Sequence, residues 1–252
     1  MKKILEVCVD SLSSARNAIA GGADRLELCS ALAVGGLTPY TALLKQIRSE
    51  SDIPIRCLMR HRPGDFLYTA DELALLREQI CELRLAGASG FVIGCLTPEG
   101  KLNKPAMTEL MEACGGNITL HRCIDVSADP ERTYLDAMEL GIDTVLTSGC
   151  ASSCLKGIEV IKKLIALRDS LNGPEVLIGA GVNASVIAQV RNVLPSAGAF
   201  HMSGKAAIPS GMQFRREGVP MGIPGLDEWH IQQTDTDAVA AARKVLDEHC
   251  LI

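Results

Sequence analysis

Aromatic residues make up only 3% of the 252-residue chain, one Trp, three Tyr and four Phe. A core built from this sequence must therefore be filled by aliphatic and Ala side chains, which the 47% hydrophobic content supplies. Excess positive charge is also missing: 25 Lys and Arg stand against 30 Asp and Glu, a net charge of -5 with a pI near 5.6. General nucleic-acid and membrane-surface binders need a concentrated basic face, so neither nucleic acid nor a membrane is an expected partner. No apolar run approaches the roughly 18 residues that can cross a bilayer, and Glu6 and Asp10 interrupt the segment where a secretory leader would be continuous. The expected location is the cytoplasm. No C-x-x-C occurs among the ten cysteines; the nearest pair, Cys150 and Cys154, is a weak metal signal, and free thiols are the expected state in a reducing compartment. No G-x-G-x-x-G follows the first apolar segment, where a dinucleotide-binding fold would place it. No Pro/Gly/Ser-rich linker divides the chain, which predicts one domain over residues 1–252.

What is present is repetitive. Gly21-Gly22, Gly87, Gly141 and Gly198 each end a helical pattern and precede a short apolar run, as expected of four helix-to-strand joints. Strand candidates are 5–10, 25–29, 54–59, 90–94, 117–122, 144–147, 175–179 and 200–202. Helical patterns lie between them, notably 11–20, 70–86, 104–114, 130–140, 156–170 and 184–193, with a last helix over 237–249. Eight strands alternating with helices in this length predict an α/β fold, a single (β/α)8 TIM barrel, with a doubly wound open sheet as the alternative. Residues Ser203 to Thr236 are rich in Pro and Gly and read as a long irregular segment after strand 8, serving as a cover over the barrel mouth or a subunit contact.

The period of two along a strand divides its side chains between faces. With Leu5, Val7 and Val9 turned to the helices, Glu6, Cys8 and Asp10 face the barrel interior, joined by Arg25, Glu27 and Cys29 from strand 2. Strand 3 offers Arg56 and Arg60, strand 5 His121 and Asp125, strand 8 His201. Barrels of this kind are ordinarily filled by branched aliphatic residues and keep their chemistry at the C-terminal strand ends. A buried charge needs a partner, so Glu6 and Glu27 are expected to pair with Arg25, Arg56 or Arg60. One reading is a structural ion-pair network. The other is a site, since Asp10, Cys29, Arg60, Arg122, Asp125 and Ser203 fall at strand C-terminal ends. The loop Gly179-Ala180-Gly181 after strand 7 and Ser203-Gly204-Lys205 after strand 8 occupy places where barrels bind phosphate. Cys8 and Cys29 sit on neighbouring strands; packed core thiols are one reading, and a soft low-coordinate ion such as Cu(I) is another, with His121, Cys123, His201 and Met202 as further candidate ligands.

The runs Leu5-Glu6-Val7-Cys8-Val9-Asp10, Gly21-Gly22-Ala23-Asp24-Arg25-Leu26-Glu27-Leu28-Cys29 and Gly35-Gly36-Leu37-Thr38-Pro39 resemble the copper homeostasis protein CutC family. So do Met59-Arg60 with Gly64 to Tyr68, Leu120-His121-Arg122 with Asp125, Leu146 to Gly149, Phe200-His201 with Ser203, and Ser210-Gly211-Met212 with Phe214. The loop Arg60-His61-Arg62-Pro63-Gly64 departs from the R-P-R-G-G expected there. The resemblance implies a cytoplasmic barrel that self-associates as a dimer or tetramer, linked to copper, with Cys8 and Cys29 at the positions of the thiols proposed to hold Cu(I). The residues themselves also support an enzyme acting on a small anionic ligand, with Arg25, Arg60, Arg122, Gly179, Gly181 and Ser203 binding the anion and Glu6, Glu27, His121 or Asp125 exchanging protons.

Overall fold

A computed structural model describes residues 3–216, 218–219, 221–223, 225 and 227–248; His249, the last residue of the expected final helix, and Cys250 lie outside them. Eight parallel strands close into a barrel in chain order: β1 (Ile4–Val9), β2 (Arg25–Leu28), β3 (Ile55–Leu58), β4 (Gly90–Ile93), β5 (Asn117–Leu120), β6 (Thr144–Thr147), β7 (Glu175–Ile178) and β8 (Ala199–Met202). The helices are α1 (Leu12–Ala20), α2 (Thr41–Glu50), α3 (Ala70–Leu85), α4 (Lys104–Cys114), α5 (Pro130–Glu139), α6 (Ile158–Leu171), α7 (Ala184–Val193) and α8 (Thr236–Glu248). The fold is the (β/α)8 TIM barrel that the alternation predicts.

Local chemistry explains most boundaries. Side chains of Ser11, Asn103, Asp129 and Asn183 accept a backbone N–H from the first turn of α1, α4, α5 and α7, and Thr69 with Glu72 forms a reciprocal capping box at α3. Gly22, Gly87 and Gly141 adopt φ of +89°, +102° and +78° at the helix-to-strand joints; Gly198 does not. Leu5, Val7 and Val9 are fully buried in one core with Ala15 and Ala18 of α1, Leu44 of α2 and Leu76 of α3. Each such large aliphatic side chain contributes about 1.5–3 kcal/mol by leaving water.

Inside the barrel the apolar material separates into two small groups. Cys8, Cys29, Leu58 and Val92 form one, and Leu146, Leu177 and Ala199 with Ile4 form the other. Buried polar residues fill the remainder: Glu6, Arg25, Glu27, Arg56, Thr119 and His121. Arg56 donates to Thr119 Oγ1, Thr144 Oγ1 (3.1 Å) and Asp143 Oδ1 (2.6 Å), tying β3 to β5 and β6.

Two features differ from the sequence expectation. Helix α2 has no side-chain cap at Tyr40 and no glycine closing it at Ser51, so the usual punctuation is absent on both sides. The segment after β8 is not wholly irregular: β9 (Lys205–Pro209) and β10 (His230–Thr234) pair antiparallel, with Ile208 opposite Ile231. Pro209 sits at the end of β9, where a strand tolerates it. The base of this ribbon is held on α1, where Asn17 donates to Thr234 O (2.8 Å) and Thr234 N–H donates to Ser14 Oγ (3.1 Å). All nine described cysteines are free thiols, and among the described residues no helix is long and apolar enough to cross a membrane.

Candidate functional site

The strand register builds the centre directly. Closure places His201 of β8 opposite Glu6 of β1, and Glu6 opposite Arg25 of β2; one pleat further up, Cys8 stands opposite Glu27. Cross-strand partners lie about 4.8 Å apart, so these five side chains meet without help from any loop. Glu6 is fully enclosed: Arg25 Nε donates to one carboxylate oxygen (2.5 Å), and His201 Nδ1 bonds the other (2.8 Å). That bond turns the opposite edge of the ring upward, where His201 Nε2 lies 3.6 Å from Glu27 Oε2. The Cys8 sulfur, a Glu27 oxygen and a His201 nitrogen all lie within 4.8 Å of one another. Cys29 does not join this group. Its thiol turns to the carboxylate two residues before it, donating to Glu27 Oε2 at 3.5 Å, and packs with Cys8, Leu58 and Val92.

The electrostatics follow from burial and pairing. Burial opposes ionisation of Glu6, but Arg25 and His201 outweigh it and hold the carboxyl at about 2. Glu27 is pushed up, first by burial and then by the nearby charge of Glu6, against the attraction of His201. Burial, followed by the Glu27 carboxylate, raises the Cys29 thiol well above its ordinary value. His201 moves the other way from a buried neutral ring: burial disfavours its cation, yet Cys8, Glu27 and the bond to Glu6 raise it well above the imidazole range. A soft sulfur, an imidazole nitrogen and a carboxyl thus converge on one point, an arrangement able to hold a cation or to relay protons.

The other expected site residues divide between this centre and structural duty. Above the centre, at the C-terminal mouth, lies a cavity of about 310 Å3 bordered by Cys8, Glu27, Arg60, His121, Gly181 and Ser203, together with Arg122. Asp125 is occupied elsewhere. It accepts from Arg122 Nε (2.7 Å), Thr147 Oγ1 (2.6 Å), Ser148 N–H (2.9 Å), Ser148 Oγ (2.7 Å) and Cys150 N–H (3.1 Å). Burial pushes its carboxyl up, but the bonds from Thr147, Arg122 and Ser148 prevail and hold it below the usual range. Gly179 is not among the residues bordering the cavity; a Cβ there would meet Leu146 Cδ1 at 2.8 Å and His201 Cβ at 3.7 Å. Asp10 accepts from the Leu32 N–H (3.4 Å). Cys123 is buried in the outer core, away from the Cys8 group. Of the expected pairings, Glu6 with Arg25 is present, whereas Glu27 faces His201 and not an arginine. Lys205, which begins β9, also borders the cavity; its signal in the sequence was its place two residues beyond Ser203.

A family model described as the CutC family matches residues 3–206. A family protein CutC from Vibrio campbellii is 40% identical over 95% of this chain and 97% of its own length. The copper homeostasis protein cutC homolog of Homo sapiens is 38% identical, covering 96% of this chain and 90% of that protein. Among solved structures, the copper homeostasis protein CutC from Streptococcus agalactiae superposes with a TM-score of 0.74 at 25% identity, over 80% of this chain and 98% of that one. The matched stretch includes every strand of the barrel and each residue of the Glu6, Cys8, Arg25, Glu27 and His201 centre, and on these grounds the chain belongs to the CutC family.

Proposed function

We propose that the protein takes part in copper homeostasis by holding Cu(I) as cargo between the Cys8 thiolate and His201 Nε2 at the base of the barrel mouth. The observation that carries this reading is the 2.8 Å bond between Glu6 Oε1 and His201 Nδ1. A carboxylate on one ring nitrogen fixes the ring so that the other nitrogen faces the mouth, where Cu(I) would take the place of the Nε2 proton. Thiolate and imidazole suit Cu(I), which is content with few ligands, whereas Zn(II) fills four positions. Glu27 stands beside the pair with its carboxyl pushed up by burial, a weak competitor for a soft ion. The reducing cytoplasm, where thiols such as those of the nine described cysteines stay free, is the matching compartment. The family names of the human and streptococcal relatives support copper as the ion.

The test is competition between the reduced, anaerobic protein and a chromogenic Cu(I) chelator. Cys8→Ser and His201→Ala should each weaken binding about a hundredfold or more, close to 3 kcal/mol, and Glu6→Gln about 10–100-fold through the misplaced ring. Cys29→Ser should leave affinity within about threefold of the parent. A loss in Cys29→Ser equal to that in Cys8→Ser would move the site to the two thiols, and unchanged affinity in Cys8→Ser would remove it from this centre.

Self-association completes the proposal. The β9–β10 ribbon carries Ile208 and Ile231 on exposed surface, Ile231 at 55%, and beyond β9 lies Phe214 at 66%. Apolar side chains clustered on a projecting ribbon are the kind of surface a second copy covers. Sedimentation of the intact protein should give a dimer or tetramer, and Ile231→Lys with Phe214→Glu should yield monomer with the barrel folded. A wild-type monomer at all concentrations would refute this part.

A further inference from the structure

The mouth has more room than an ion uses. Its volume of about 310 Å3 falls at the lower end of the range for small-molecule sites, about 300–1,000 Å3. Its cations also lack the partners that buried and half-buried cations ordinarily have. Arg60, just beyond β3, donates from its terminal nitrogens to the carbonyl oxygens of Val34 (3.1 Å), Gly36 (3.1 Å) and Gly64 (3.0 Å). These bonds fix the direction of the guanidinium and leave its charge unneutralised; among the described residues it has no carboxylate partner, and its buried Nε has no acceptor. Lys205 borders the same cavity and makes no ion pair with any described residue. Arg122 is different, being already paired with Asp125 at 2.7 Å.

A neutral donor adds to the two cations. His121 is 4% exposed, and the Cys123 N–H donates to its Nδ1 at 3.1 Å. The ring proton therefore sits on Nε2, which is buried without an acceptor. Burial, with the Arg60 charge, keeps this ring neutral, its pKa lowered to about 3. An unmatched buried donor costs about 1–3 kcal/mol, a penalty that an acceptor brought by a ligand removes. Glu27 is the one acidic side chain bordering the cavity among the described residues, and it already faces His201. Two cations without a carboxylate partner among the described residues and an unmet donor around an enclosed space complement negative charge.

We infer that the mouth binds a small organic oxyanion, its charged group held between Arg60 and Lys205 and its remainder extending toward Cys8, Glu27 and His201. The oxyanion is a phosphate monoester or a carboxylate, since both present the acceptors that a guanidinium and an ammonium recognise. The site goes beyond the copper reading and does not depend on it, because Arg60, Lys205 and His121 are outside the Cys8 group.

Calorimetric titration of the intact, reduced, chelator-treated protein tests the inference with three probes: inorganic phosphate, glycerol phosphate and malate. Saturable binding of at least one probe in the millimolar range or tighter is expected, weakening as salt is added. Lys205→Ala, at an exposed position, should reduce the affinity about tenfold, and Arg60→Met by at least as much. Preference for glycerol phosphate over malate identifies the phosphate monoester class, and the reverse identifies the carboxylate. Absence of saturable binding by all three probes, or affinities unchanged in both variants, overturns the inference. The protein carries no copper in this titration, so its failure is distinct from failure of the Cu(I) competition.

Discussion

Glu6→Ala is expected to destabilise the barrel by about 3–5 kcal/mol, the cost of leaving a buried charge without its partner. The carboxylate is fully enclosed and carries both Arg25 Nε and His201 Nδ1. Its removal strands the Arg25 guanidinium, which already has one terminal nitrogen, Nη2, without an acceptor. Against a typical total of about 5–15 kcal/mol the loss is a large share, and for a chain of this size it corresponds to a melting temperature lower by roughly 10 °C. Glu6→Gln with Arg25→Met should recover a good part of it, because an uncharged pair removes the stranded cation. The pH profile carries the same signature. With a folded value near 2 against an ordinary 4.5, Glu6 contributes stability that is complete above the ordinary value and disappears as pH falls toward 2. His201 is raised in the folded state, so its contribution is complete below the usual imidazole range and fades as pH rises past the folded value. Both limbs should flatten in Glu6→Ala. A loss below about 1 kcal/mol with an unchanged acid limb would mean that the interior around Glu6 is hydrated well enough to dispense with it.

Asp125→Ala should cost about 3 kcal/mol, for a different reason. Five donors converge on this one carboxylate, and four of them, from Thr147, Ser148 and Cys150, belong to the end of β6 and the turn after it. Hydrogen bonds to a charged group contribute about 1.5–3 kcal/mol each, and unsatisfied buried donors add to the loss. Urea unfolding should show a lower midpoint with little change in slope, and amide exchange should accelerate first at Gly149 and Cys150. Asp125→Asn should also destabilise, since its amide would set a donor against donors. A residue engaged only in proton exchange with a ligand would instead leave stability within about 0.5 kcal/mol of the parent.

The barrel was legible because its punctuation is local: capping side chains and three left-handed glycines can be read within a few residues of the boundaries they set. Helix α2 lacks both signals, and the proline and glycine content between Ser203 and Thr236 conceals the β9–β10 ribbon. The centre was legible in composition but not in grouping. A period of two tells which face Glu6, Cys8, Glu27 and Cys29 share. It does not give the height of each side chain along the axis, and height is what leaves Cys29 out of the Cys8, Glu27 and His201 group and brings His201 to Glu6. The grouping around Asp125 was hidden for a related reason, since its partners Thr147 and Ser148 come from the end of the next strand.

Because Glu6 of the first strand bonds a residue 195 positions later in the last, the centre has an order of assembly in time. At about 5–20 residues per second, a ribosome needs on the order of 10–40 s to deliver His201 after Glu6 has been made. For that interval the growing polypeptide holds the Cys8 thiol without its imidazole, and the first strand without its outer neighbour. Under the proposed Cu(I) role, loading awaits the synthesis of β8, and a prematurely terminated product lacking that strand has a thiol to offer but no seat for the ion.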